Sequence, residues 1–262
     1  LSLESLPPSA QPNHFNLIRL VAASAVIVSH SFGLAANRAD PLQVLTGFDL
    51  GTTAVLAFFA ISGFFISLSF DRRSSAAAFI VARVTRIVPA LLVCSLVTAF
   101  IVGPLFTASD RYFRETSVWL YPAQVTSIVR IMAAHLPAML LHNPHPGEVD
   151  TSLWTLFYEV ACYAGLFAAG LIGLLRRFRL FLPLAALLYA LGRYGPWHEL
   201  NQFAIFGLPF LVGMWAYRYR LLNGWAALAL VLAAAIAATA GYRLEELWSL
   251  AVAYGVLWLG FA

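Results

Sequence analysis

Lysine is absent from this chain, and charge of either sign is scarce. Only 11% of the 262 residues are Asp, Glu, Lys or Arg, and the sixteen cationic residues are all arginine. A soluble domain of this length needs far more charge to cover its surface, so a water-soluble globular protein is excluded. The net charge of +4 is spread over many short stretches and forms no basic tract, which argues against a nucleic-acid partner. Two cysteines, Cys94 and Cys162, both fall in apolar runs. They are read as small buried side chains, with no disulfide framework and no metal site. The first sixteen residues hold no Lys or Arg, and no cleavage site follows the first apolar run. That run is therefore read as a retained span and not a signal peptide.

Apolar sequence is what the chain has in abundance. Hydrophobic residues make up 61% of it, and the mean hydropathy is +0.81. An α-helical span needs about 20 mostly apolar residues. Candidates are 17–36, 52–70, 87–106, 152–175, 178–194, 202–217, 224–240 and 247–262, the fifth and sixth carrying Pro183 and Pro209. The expected fold is an all-α polytopic membrane helix bundle of about eight spans, forming a single membrane-embedded domain over residues 1–262. Because an apolar run reaches the last residue, "WLGFA", the sequence is expected to be a C-terminally truncated fragment.

Arginine positions set the orientation. With the N-terminus in the cytoplasm, nine arginines fall in short inner loops: Arg72, Arg73, Arg83, Arg86, Arg176, Arg177, Arg179, Arg218 and Arg220. Six fall outside: Arg38, Arg111, Arg114, Arg130, Arg193 and Arg243. The stretch 107–151 is then a long external segment. Within it, 123–141 is apolar but broken by Arg130, His135 and Pro137, and is read as an interfacial or partly inserted helix.

Few ionisable groups lie inside the spans, so each one carries information. Arg19 and His30 bracket an uncharged run in the first span. Eleven residues at 100° put both on one face, about 16 Å apart along the axis. Arg19 alone fits a snorkelling anchor, and His30 alone fits a structural histidine bonded to a backbone carbonyl. Glu159, in the fourth span, lies at a depth matching His30, and a histidine–carboxylate pair is what a general base needs. A buried acid that is protonated, or paired with arginine, is the plainer reading of Glu159.

Two motifs fall toward the cytoplasmic side. Ser62, Gly63 and Ser67 in "FFAISGFFIS" fit close helix approach or, alternatively, a slot for a thin ligand. Arg83 and Arg86 in "RVTRIVPAL" share a helical face, as positive-inside anchors or as a phosphate clamp. The external "LHNPHPGEVDTSLW" offers His142, His145, Glu148 and Asp150, but Pro144 and Pro146 break any helix that would align the histidines, so no metal is expected.

Together these stretches resemble the acyltransferase-3 family of membrane enzymes that O-acylate surface polysaccharides, lipids and related molecules. The resemblance rests on Arg-x10-His (Arg19, His30), Ser-Gly-Phe-x-x-Ser (Ser62 to Ser67), Arg-x-x-Arg-x-x-Pro (Arg83, Arg86, Pro89) and Leu-Trp-Thr-Leu-x-x-Glu (Leu153 to Glu159), with "FGLPFLVGMWAYRYR" (206–220) similar to a later segment. Asn16 stands where members commonly have Asp, and the implied fold has ten spans. The resemblance implies acyl-CoA, usually acetyl-CoA, as a cytoplasmic donor, with no metal. It implies a carbohydrate or lipid-linked acceptor hydroxyl on the far side of the bacterial cytoplasmic membrane. Arg83 and Arg86 would then hold the CoA phosphates with Arg19 assisting, the pantetheine arm would pass Ser62, Gly63 and Ser67, and His30, oriented by Glu159, would take the acceptor proton. The competing reading is a proton-coupled small-solute transporter relaying protons through His30, Glu159 and Arg19, although no internal repeat is visible.

Overall fold

In a bilayer every backbone polar group must be satisfied within the protein, and helices do so within one segment. The computed structural model describes residues 13–72, 75–144, 146–147, 149–196, 198–220 and 222–262. Among these there is no β-strand, only an isolated bridge between Thr107 and Met139. The helices in chain order are α1 (Phe15–Ala36), α2 (Pro41–Thr46), α3 (Leu50–Arg72), α4 (Ala76–Val97), α5 (Gly103–Phe106), α6 (Thr116–Thr126), α7 (Thr155–Leu171), α8 (Phe178–Tyr194), α9 (His198–Tyr219), α10 (Gly224–Thr239) and α11 (Glu245–Phe261). A π-helical turn, Thr98–Val102, joins α4 to α5.

Each of the eight predicted spans is helical. Among the described residues, five helical stretches are long and apolar enough to cross a membrane: Phe15–Ala36, Leu50–Arg72, Ala76–Phe106, Ser152–Leu171 and Leu200–Tyr219. α8, α10 and α11 are shorter apolar helices. The protein is an all-α polytopic membrane protein. Pro183 and Pro209 lie inside α8 and α9 without ending them. The third predicted span begins eleven residues before 87, at the start of α4, where the Ser75 hydroxyl accepts the Ala78 amide at 3.1 Å and caps the helix.

The described residues fall into two compact units. Among them, one unit spans 13–33, 38–72 and 161–262; the other spans 34–37 and 75–160. In the first, α3 is central: 67% of its apolar window is buried, against 6% for α1, whose leucines and valines face outward toward lipid. α3 packs along α9, α11 leans on both, α8 packs on α9, and α10 packs on α11. Lipid tails are as apolar as the side chains, so close packing must hold such helices together. Gly63 and Gly213 provide it: a Cβ on Gly63 would run into the Phe210 carbonyl, and one on Gly213 into the Ala60 carbonyl. One end of the unit is closed by Phe15, which is 1% exposed and meets Phe65 and Phe261 edge-on at 4.9 and 4.8 Å.

In the second unit α4 packs on α6. Tyr112 donates its hydroxyl to the Ala99 carbonyl at 2.8 Å, satisfying a group inside the π-helical turn. The expectation of a helix over 123–141 is corrected here. α6 ends at Thr126, Ile128, Ala138 and Leu140 all have positive φ, and only a short 3₁₀ turn at Ile131–Ala133 follows. Several apolar residues of this stretch serve packing, while Val129 and Leu141 stay exposed. Val125, Ile131, Leu136 and Met139 are buried with Leu91, Tyr112, Val118 and Tyr121 in one cluster.

Candidate functional site

His30 stands on α1, half-buried, in the same uninterrupted helix as Arg19. Its Nδ1 lies 2.9 Å from the Val26 carbonyl. A carbonyl oxygen has no proton to give, so Nδ1 carries the hydrogen, and Nε2 is the ring nitrogen left to act as a base. At Nδ1 the ring is oriented by the backbone of α1 itself.

The turn of α1 that carries His30 is tied down by a residue the sequence reading passed over. Asp40 is 2% exposed. Its Oδ2 accepts the Ser29 hydroxyl at 2.6 Å and the Leu50 amide at 2.8 Å, while Oδ1 accepts the Gln43 amide at 2.9 Å. It thus caps α2 and joins α1 to the start of α3. Burial works to raise the Asp40 pKa, but the hydrogen bonds from Ser29, Gln43 and Leu50 outweigh it and hold the carboxyl below its usual 3.8. The local signal was legible: Asp40 followed by Pro41 is an N-cap with proline at the first helical position. Gly51, one residue into α3, leaves the space in which Ser29 sits; a Cβ there would lie 3.2 Å from the Ser29 side chain.

Arg19 extends its guanidinium over the Phe65 ring at 5.2 Å. Ser62, Gly63 and Ser67 are all buried on α3. Ser67 donates back to the Gly63 carbonyl at 2.8 Å, and Tyr163 donates to Ser62 at 3.3 Å. With the Phe210 backbone against Gly63, these residues bring α3 and α9 into close contact.

In the second unit, Arg83 and Arg86 stand one turn apart on α4. Arg83 is half-buried with its guanidinium 5.9 Å from the Phe79 ring, and Arg86 is exposed. Glu159 lies within the first turns of α7, half-buried. Of the polar loop at 141–154, Asp150 accepts the buried Tyr121 hydroxyl at 3.0 Å, and burial together with that carboxylate pushes the Tyr121 pKa up. His145 and Glu148, like Arg73, lie outside the described residues.

A family model described as an acyltransferase domain, that of acyltransferase-3, matches residues 13–262. The chain belongs to the acyltransferase-3 family. Two curated relatives are similar to this family member. The O-acetyl transferase of Shigella phage Sf6 is 33% identical over 210 residues, covering 79% of this chain and 59% of the relative. Nodulation protein 10 of Rhizobium leguminosarum bv. viciae is 34% identical over 210 residues, covering 75% and 53%. The chain thus spans a little over half the length of these relatives. No solved structure matches it.

Proposed function

We propose that this protein is a membrane-bound O-acyltransferase that moves an acetyl group from cytoplasmic acetyl-CoA to a hydroxyl of an extracytoplasmic carbohydrate or lipid-linked acceptor. Its setting is the bacterial cytoplasmic membrane, with the N-terminus inside. Family membership and the relative named O-acetyl transferase support the reaction class. The observation that carries the mechanism is the His30 Nδ1 bond to the Val26 carbonyl, which leaves Nε2 available as the base.

The proposed chemistry is a direct transfer. The acceptor oxygen attacks the thioester carbonyl while His30 Nε2 takes its proton. The tetrahedral intermediate collapses, the C–S bond breaks, and the departing CoA thiolate recovers that proton from the imidazolium. Glu159 stabilises the imidazolium by its charge, the role a carboxylate plays beside a catalytic histidine. Arg83 and Arg86 hold the CoA phosphates as paired guanidinium groups, with Arg19 assisting. A transiently acylated His30 would give the same loss on substitution, and trapping an acyl-enzyme separates the two routes.

The test is acceptor-dependent release of free CoA thiol by membranes carrying the full-length protein. Release that requires acetyl-CoA and a crude surface-glycan fraction fits the proposal. Thiol release at the same rate in membranes lacking the protein contradicts it.

A further inference from the structure

The polar chemistry of the first unit is concentrated at one end, around a cavity of about 230 Å³. The beginnings of α3 and α11, the end of α8 and part of α9 form its walls, through Asp49, Thr53, Tyr189, Arg193, Trp248 and Ser249 among others. Trp248 stacks on Phe48 at 4.8 Å with the rings 9° from parallel, and its indole donates to the Thr53 hydroxyl at 3.1 Å. The platform is therefore fixed in both tilt and rotation.

Charge in the cavity is largely matched. Arg193 is clamped by Glu245 at 2.5 Å and Glu246 at 3.2 Å, and Glu246 also accepts the Tyr189 hydroxyl at 3.1 Å. Arg243 and Asp49 add one charge of each sign. The Ser249 hydroxyl is the exception to this saturation. The residue is 5% exposed and lines the cavity, yet its oxygen has no hydrogen-bond partner among the described residues. Buried hydroxyls are normally paired, so an unpaired one facing a polar cavity marks a place for a ligand's own polar group.

We propose that this cavity binds one uncharged sugar ring of the acceptor. A rigid indole, hydroxyl groups, carboxylates and guanidinium groups around a ring-sized space suit a molecule with apolar C–H faces and a rim of hydroxyls. Matched charge disfavours an anionic sugar or a free phosphate, which would need surplus cation. The location suits the reaction. Gly51 lies between Asp49 and Thr52 of the cavity wall, and Ser29, beside His30, packs against it. This inference rests on the acyl-transfer reading for its role, but binding can be measured without transfer.

The experiment is saturation-transfer NMR on the full-length protein in lipid nanodiscs, with methyl β-glucopyranoside, glucuronate and inorganic phosphate as separate probes. The glycoside should bind the wild type, and bind Ser249→Ala and Trp248→Leu about tenfold more weakly. Ser249→Ala removes the hydroxyl and adds no bulk, so it reports on the hydroxyl even if Trp248→Leu fails to fold. Glycoside binding unchanged in Ser249→Ala, absent in the wild type, or exceeded by glucuronate or phosphate overturns the proposal. Should the wild type bind the glycoside yet release no CoA thiol, the sugar site stands and the acyl-transfer reading falls.

Discussion

Ser29 gives its hydroxyl to Asp40 at 2.6 Å, one residue before the histidine proposed as the base. The same oxygen of Asp40 takes the Leu50 amide, so one buried carboxylate fixes where α1 stands against α3. Asp40→Ala removes the α2 cap and leaves the Ser29 hydroxyl and the Leu50 amide without their acceptor. The expected loss is about 1–3 kcal/mol of stability, read as a lowered Tm in detergent. A misplaced base should also lower kcat about tenfold while leaving the acetyl-CoA KM unchanged. Asp40→Asn keeps one accepting oxygen but sets an amide NH2 in place of the other, so it should recover only part of the stability.

The same carboxylate gives a pH dependence. Its pKa in the folded protein lies below the ordinary 3.8, so the stability it contributes is complete above 3.8 and is lost as pH falls through the lower folded value. The Tm difference between wild type and Asp40→Ala should be constant from neutral pH down to about pH 5 and shrink below 3.8. A difference that widens toward low pH would contradict the assignment.

Close packing of α3 on α9 predicts a contrast between two glycines. Gly63→Ala forces a methyl into the Phe210 carbonyl and should cost about 1–3 kcal/mol. Gly207→Ala, on α9 itself, meets no atom within 4 Å and should be neutral or gain up to about 1 kcal/mol from helix propensity. Thermal unfolding of the two variants in parallel decides it.

These outcomes mark what the sequence could and could not convey. Helices were legible because apolar runs of span length admit few alternatives in a bilayer. The stretch 123–141 misled for the same reason: Val125, Ile131, Leu136 and Met139 are apolar to fill a cluster beside α6, and composition cannot tell that cluster from lipid. Ser62, Gly63 and Ser67 fit close helix approach from sequence alone, but that the partner is the Phe210 backbone is a matter of tertiary packing. His30 stood out as an ionisable group inside a span, but its bond to Val26 is a matter of rotamer. The Trp248 cavity went unnoticed because its residues come from four separate helices or their ends, and none forms a motif in the chain.

Donor binding supplies a fourth prediction. Replacing both Arg83 and Arg86 with Gln removes the proposed phosphate clamp. Without these two charge-assisted interactions the acetyl-CoA KM or Kd should rise by at least about tenfold. The effect should fade as ionic strength rises and screens the wild-type interaction. Equal donor affinity in wild type and double variant at low salt would remove the arginines from the mechanism.

The most direct measurement is mass spectrometry of surface-glycan acetylation in cells expressing the full-length wild type or His30→Ala at matched membrane levels. A general base contributes about 10²–10⁴-fold to rate, so the account predicts that acetylation falls to background in the variant while acetyl-CoA binding by its membranes persists. Wild-type acetylation in His30→Ala cells would contradict it.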